Sequence, residues 1–121
     1  MRNILYIFLG GGFGSIMRYL ISTYTQKLWN FNAFPFGTFV VNITGCFLIG
    51  MLTAYFLKVD SSLKFLLITG LCGGYTTFST FSEENFSLWQ SGNYAILILY
   101  ALLSLLIGLL MVFLGYEVIK N

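Results

Sequence analysis

The chain has 121 residues, of which 58% are hydrophobic and 8% charged, and it carries a net charge of +2. Soluble domains hold about 25% charged residues, and in water this composition would expose apolar patches that monomers do not tolerate. Lipid is therefore the solvent. The lack of any basic run argues against nucleic acid, and the lack of histidine removes the commonest metal ligand and general base.

A helix needs about 20 residues to cross a hydrocarbon layer roughly 30 Å thick, and four segments qualify. The first covers about residues 4–25 and holds Gly10, Gly14 and Ser15, which permit close helix contacts. Arg2 ahead of an apolar stretch resembles the start of a leader, but no small-residue cleavage site follows, so the stretch reads as a retained helix. Arg18 lies toward its far end, either snorkelling to headgroups or lining a vestibule. The run Gly10-Gly11-Gly12-Phe13-Gly14 has no strand context for a nucleotide fingerprint.

The second segment covers about residues 34–57 and has no charge. Thr38 and Asn42 are four apart and share a face. An Asn in hydrocarbon is costly, so Asn42 points either at a partner helix or at an aqueous path. Gly37, Gly45 and Gly50 again allow close packing. Asn42-Ile43-Thr44 matches a glycosylation sequon, but its depth in the membrane rules that out.

The third segment, about residues 63–86, is broken near 73–77. Two adjacent glycines and two β-branched threonines in Gly73-Gly74-Tyr75-Thr76-Thr77 resist continuous helix. Freed backbone groups survive in a membrane only where protein or a watery cavity covers them, and broken helices commonly turn carbonyls toward cations. Tight packing at the glycines is the alternative reading. Phe78 and Phe81 are three apart and share a face, where ring edges can hold an anion or simply pack. Glu83 and Glu84 follow near an aqueous mouth.

The fourth segment covers about residues 94–119. Tyr100, Ser104 and Gly108 form one stripe, readable as a track of donors or as a packing seam. Tyr24, Trp29, Phe31, Phe34 and Trp89 are placed as interfacial anchors. Cys46 and Cys72 read as packing residues. Four spans put both termini on one side, with Arg2, Lys58, Lys64 and Lys120 against Arg18 and Lys27 on the other. That weak bias favours cytoplasmic termini. The small residues point to a homo-oligomer, and no nucleophile–base pair or acidic dyad suggests an enzyme.

Together these motifs resemble the Fluc (CrcB-like) family of microbial fluoride channels. The most specific stretch is Gly70-Leu71-Cys72-Gly73-Gly74-Tyr75-Thr76-Thr77-Phe78-Ser79-Thr80-Phe81. It is joined by Gly37-Thr38-Phe39-Val40-Val41-Asn42-Ile43-Thr44-Gly45 and Gly11-Gly12-Phe13-Gly14-Ser15-Ile16-Met17-Arg18-Tyr19. The resemblance implies an all-α integral membrane protein of four transmembrane helices with a broken third, assembled as an antiparallel, dual-topology homodimer with two pores. It implies pore roles for Phe78, Phe81, Asn42, Tyr100, Ser104, Thr38 and Thr80, and vestibule roles for Arg18 and Glu84. It also implies a central structural Na⁺ on the backbone carbonyls of Gly73 and Thr76. Gly108 departs from members that carry a second serine there. The expected activity is passive, fluoride-selective export across the cell membrane that gives fluoride resistance. The alternative is a small dual-topology multidrug or guanidinium exporter, which would want an acidic residue within the first helix. That helix has none.

Overall fold

The computed structural model describes residues 1–30 and 33–120, so the expected anchor Phe31 lies outside the described residues. Helix α1 (Arg2–Leu28), α2 (Phe36–Lys58) and α5 (Tyr94–Lys120) run 27, 23 and 27 residues. Each is long and apolar enough to cross a membrane, with mean hydropathies of 1.5, 1.9 and 2.9. The third region comes in pieces: a π-helix (Phe65–Cys72), one turn of α3 (Gly73–Tyr75), an extended residue at Thr76, and α4 (Ser79–Gln90). No strand occurs among the described residues.

The break falls one step later than the glycines suggested. Gly73 is helical, with φ −63° and ψ −37°, and the chain leaves the helix at Thr76, with φ −81° and ψ 157°. Gly74, and Gly10 and Gly14 of α1, serve packing, whereas a Cβ on Gly73 would meet nothing closer than the Ile68 carbonyl at 3.9 Å. A Cβ on Gly10 would overlap the Leu66 carbonyl, and one on Gly14 the Leu71 carbonyl. These contacts bring the α1 backbone directly against the π-helix, which α1 packs on more than on any other element. Four residues along α1 thus match five along its neighbour, and five residues is the hydrogen-bond span of a π-turn. Gly74 continues the seam against Gly11.

α2 and α5 pack just as closely. A Cβ on Gly50 would meet the Val112 carbonyl, and one on Gly115 the Phe47 carbonyl. Arg2 reaches Ser62 Oγ at 3.5 Å, and Lys58 Nζ donates to the Ile119 carbonyl at 3.1 Å. Both termini and the α2–π-helix turn therefore share one end of the bundle. Gln26 holds the opposite end: its Oε1 accepts from Gly37 N–H at 3.0 Å and its Nε2 donates to the Phe34 carbonyl at 3.3 Å. An α1 side chain thereby satisfies a first-turn N–H of α2, whose own N-cap, Pro35, makes no side-chain cap bond.

The fully buried apolar set is small: Phe34, Val41, Ala54, Cys72, Leu88 and Tyr100. Phe34, expected at the interface, turns inward and packs at 5.3 Å, edge to face, on Tyr100. Tyr24, Trp29 and Trp89 stay exposed near helix ends. Outward-facing α1 and α5 are lined by large apolar residues such as Phe8, Phe13, Ile16, Leu105, Leu109 and Phe113. That is the surface of a protein solvated by hydrocarbon.

Candidate functional site at the broken helix

The break is stitched to α2 by one side chain. Asn42 Oδ1 accepts from Thr77 N–H at 2.8 Å, and Asn42 Nδ2 donates to the Thr77 carbonyl at 3.1 Å. This two-way clamp gives an exposed peptide the partners that lipid cannot supply. Thr77 also starts α4: its hydroxyl accepts from Thr80 N–H at 3.2 Å, the work of a helix cap.

Because Thr77 N–H turns to Asn42, it does not close the next helical turn onto Gly73. The carbonyls around the break then sort into two kinds. Cys72 O accepts from Thr76 N–H and Oγ1 at 3.0 and 2.9 Å, Gly74 O from Arg18 Nε at 3.1 Å, and Thr77 O from Asn42. Among the described residues no donor meets Gly73 O, Tyr75 O or Thr76 O. Hard monovalent cations take neutral oxygens, so this donor chemistry fits the Na⁺ implied by the motif. Among the described residues no three His, Cys, Asp or Glu side chains come together as a metal site.

Two separate clefts, with no lining residue in common, lie near this region. The first, of about 290 Å³, is lined by Asn42, Thr76, Thr77, Phe78, Phe81 and Ser104 along with Cys46, Ile49 and Leu105. The Phe78 and Phe81 ring centroids are 6.0 Å apart, and Phe78 is 77% exposed. Ser104 Oγ is buried with no hydrogen-bond partner. A hydroxyl without a partner at the wall of a cleft is available to a ligand or a water.

The second cleft, of about 510 Å³, is polar and lies toward the Gln26 end. Thr38, Thr80 and Glu84 line it with Ser22, Thr23, Gln26, Lys27 and Asn30. Thr38 Oγ1 and Tyr100 Oη each donate to Glu84 at 2.8 Å, one to each carboxyl oxygen. Tyr100 is fully buried, and its ring packs 5.0 Å from Phe81. An aromatic ladder of Phe78, Phe81, Tyr100 and Phe34 therefore runs from the first cleft past the floor of the second.

The expected residues thus gather, but in three groups. Phe78, Phe81, Asn42 and Ser104 share the first cleft. Thr38, Thr80 and Glu84 share the second, and Tyr100 joins the two through its ring and its hydroxyl. Arg18 lines neither; it turns to the break itself. Sequence reasoning passed over Gln26 and left Lys27 as a loop charge. No spacing marks them, because their roles arise where the end of α1 meets the start of α2.

Fold and site define a small multi-pass membrane protein whose polar side chains converge on a broken helix. Residues 5–116 match the family described as CrcB-like protein, Camphor Resistance (CrcB), and the chain belongs to that family. A relative from Flavobacterium psychrophilum, named fluoride-specific ion channel FluC, is 50% identical over 124 residues, covering 100% of this chain and 99% of its own. Relatives of the same name from Azobacteroides pseudotrichonymphae and Phocaeicola vulgatus are 45% and 48% identical. They cover 96% and 95% of this chain, and 94% and 96% of their own lengths.

Proposed function

We propose that this chain is a passive, fluoride-selective anion channel of the cell membrane that lets fluoride leave the cytoplasm. The observation that carries the reading is the first cleft. There two phenylalanine rings, the Asn42 amide and the unpartnered Ser104 hydroxyl converge beside a broken helix. Fluoride is small and strongly hydrated, so a pore must replace its water with several donors while avoiding a full positive charge that would trap it. Amide and hydroxyl hydrogens and the positive edges of rings meet that need. The names of whole-length relatives agree with it.

In this reading the second cleft is the vestibule. Lys27 attracts the anion, and Thr38 and Thr80 pass it toward Phe81 and Asn42. The functional unit is an antiparallel homodimer with two pores. Its support is the open first cleft: polar groups such as Asn42, Thr76 and Thr77 on a groove open to hydrocarbon need a cover, and a second copy would supply one. A structural Na⁺ would lie on the Gly73 and Thr76 carbonyls and supply fixed positive charge where the helix ends. No chemical step is required. The interior-negative potential drives the anion outward.

The test is fluoride efflux from liposomes holding the purified protein, with chloride as control. Fluoride should leave far faster than chloride, and efflux equal to that of empty vesicles would end the channel reading. Phe78→Ile and Phe81→Ile should each cut flux at least tenfold, about 1.4 kcal/mol on the barrier, while the dimer survives size-exclusion chromatography. Unchanged flux in both would remove the rings from the pore.

A further inference from the structure

Gly74 lies beside Gly73, Tyr75 and Thr76, whose carbonyls meet no donor among the described residues, yet its own carbonyl is taken. The donor is Arg18 Nε at 3.1 Å, from a half-buried side chain on α1. The same helix also fixes the Gly74 backbone in place, since a Cβ there would come within 2.5 Å of the Gly11 carbonyl oxygen. One element thus presses on Gly74 from one side and caps its oxygen from the other. A guanidinium stays protonated at any physiological pH, so the cap is permanent, and its charge disfavours a cation at that oxygen.

We propose that Arg18 is a positioning residue for the cation site, which decides which oxygens of the break an ion can reach. With Cys72, Gly74 and Thr77 carbonyls occupied by Thr76, Arg18 and Asn42, each chain offers Gly73, Tyr75 and Thr76. The number and field strength of the coordinating carbonyls are one means by which a site separates Na⁺ from K⁺. Arg18 therefore sets the preference for Na⁺ over K⁺ without touching the ion. The assignment rests on the cation reading above.

Carbonyl-selective NMR on the full-length protein in detergent decides it. The Gly74 carbonyl is read through ¹⁵N-labelled tyrosine, and Gly73 through ¹⁵N-labelled glycine. The Gly73 signal is told from those of Gly10-Gly11 and Gly11-Gly12 by its loss in Gly73→Ala, where the added methyl meets only the Ile68 carbonyl at 3.9 Å. The only other Gly-Tyr pair, Gly115-Tyr116, serves as a reference in α5. Replacing Na⁺ with N-methylglucamine should shift the Gly73 carbonyl and leave Gly74 unmoved. A Gly74 shift as large as that of Gly73 overturns the proposal. If neither moves, the cation reading itself falls and takes this assignment with it. In Arg18→Gln the Gly74 carbonyl should begin to respond, and the greater thermal stabilisation by Na⁺ than by K⁺ should disappear. Arg18→Lys, which keeps charge and a donor, should retain that difference. An unchanged Na⁺/K⁺ difference in Arg18→Gln counts against the proposal, and if that variant does not fold, the wild-type shifts alone decide.

Discussion

Asn42 shows how one amide does what a run of backbone cannot. Removing it in Asn42→Ala strands both the N–H and the C=O of the half-buried Thr77, at about 1–3 kcal/mol. Thermal unfolding in detergent should show that loss, together with reduced fluoride flux. Glu84 is held by two hydroxyls from two different helices. Thr38→Val and Tyr100→Phe should each cost about 1 kcal/mol, and because both bonds end on one carboxyl group, the double variant should depart from their sum. Additive losses would mean that the two bonds act independently. The sequence placed Asn42, Thr38 and Tyr100 on polar faces by their spacing alone. It could not join them to Thr77 and Glu84, because those bonds link residues 35, 46 and 16 positions apart on three elements.

At the level of elements, hydropathy and length located every helix, and the threonines marked the break. Two features were not legible. The glycine pair was read with the break, but both residues lie in the helical turn before it and Gly74 belongs to the seam with α1, since glycines are as compatible with helix as with its end. The π-turn was hidden too, because its cause lies on α1, where Gly10 and Gly14 admit the Leu66 and Leu71 carbonyls. Gly10→Ala should therefore destabilise the fold by about 1–3 kcal/mol or more. Gly12→Ala is the matched control, with nothing within 4 Å of the added methyl inside the chain. There the gain in helix propensity, up to about 1 kcal/mol, should leave unfolding unchanged or raise its midpoint. Equal losses at both positions would show that the seam is not what fixes α1.

At the scale of the whole molecule, the bundle turns its large apolar residues outward and keeps a thin core of six. Arg2, Lys58 and Lys120 gather at the end that carries both termini, while Lys27 stands alone beside the second cleft at the other. Composition made the membrane legible at once; the second copy was legible only through family resemblance, because small residues serve internal seams as readily as external ones. The dimer reading predicts a particle of twice 13.7 kDa once detergent is subtracted in light scattering. It also predicts that mixing differently tagged copies during expression gives pairs in which tags at the same terminus lie on opposite faces of the membrane. Labelling that always reaches both tags from one face would exclude the antiparallel arrangement.

The match of four steps on α1 to five on its neighbour has a mechanical meaning. Two scales of unequal pitch coincide at one offset only, as on a vernier, so α1 and the π-helix cannot slide past each other by a residue and re-engage. Deleting one residue from positions 67–70 would remove that extra step, so the stretch would close as α-helix, four residues against four, with the Leu71 carbonyl still against Gly14 and Phe78 and Phe81 still facing as they do. The short stretch thus stores one extra residue without passing its rotation on to the rest of the third helix.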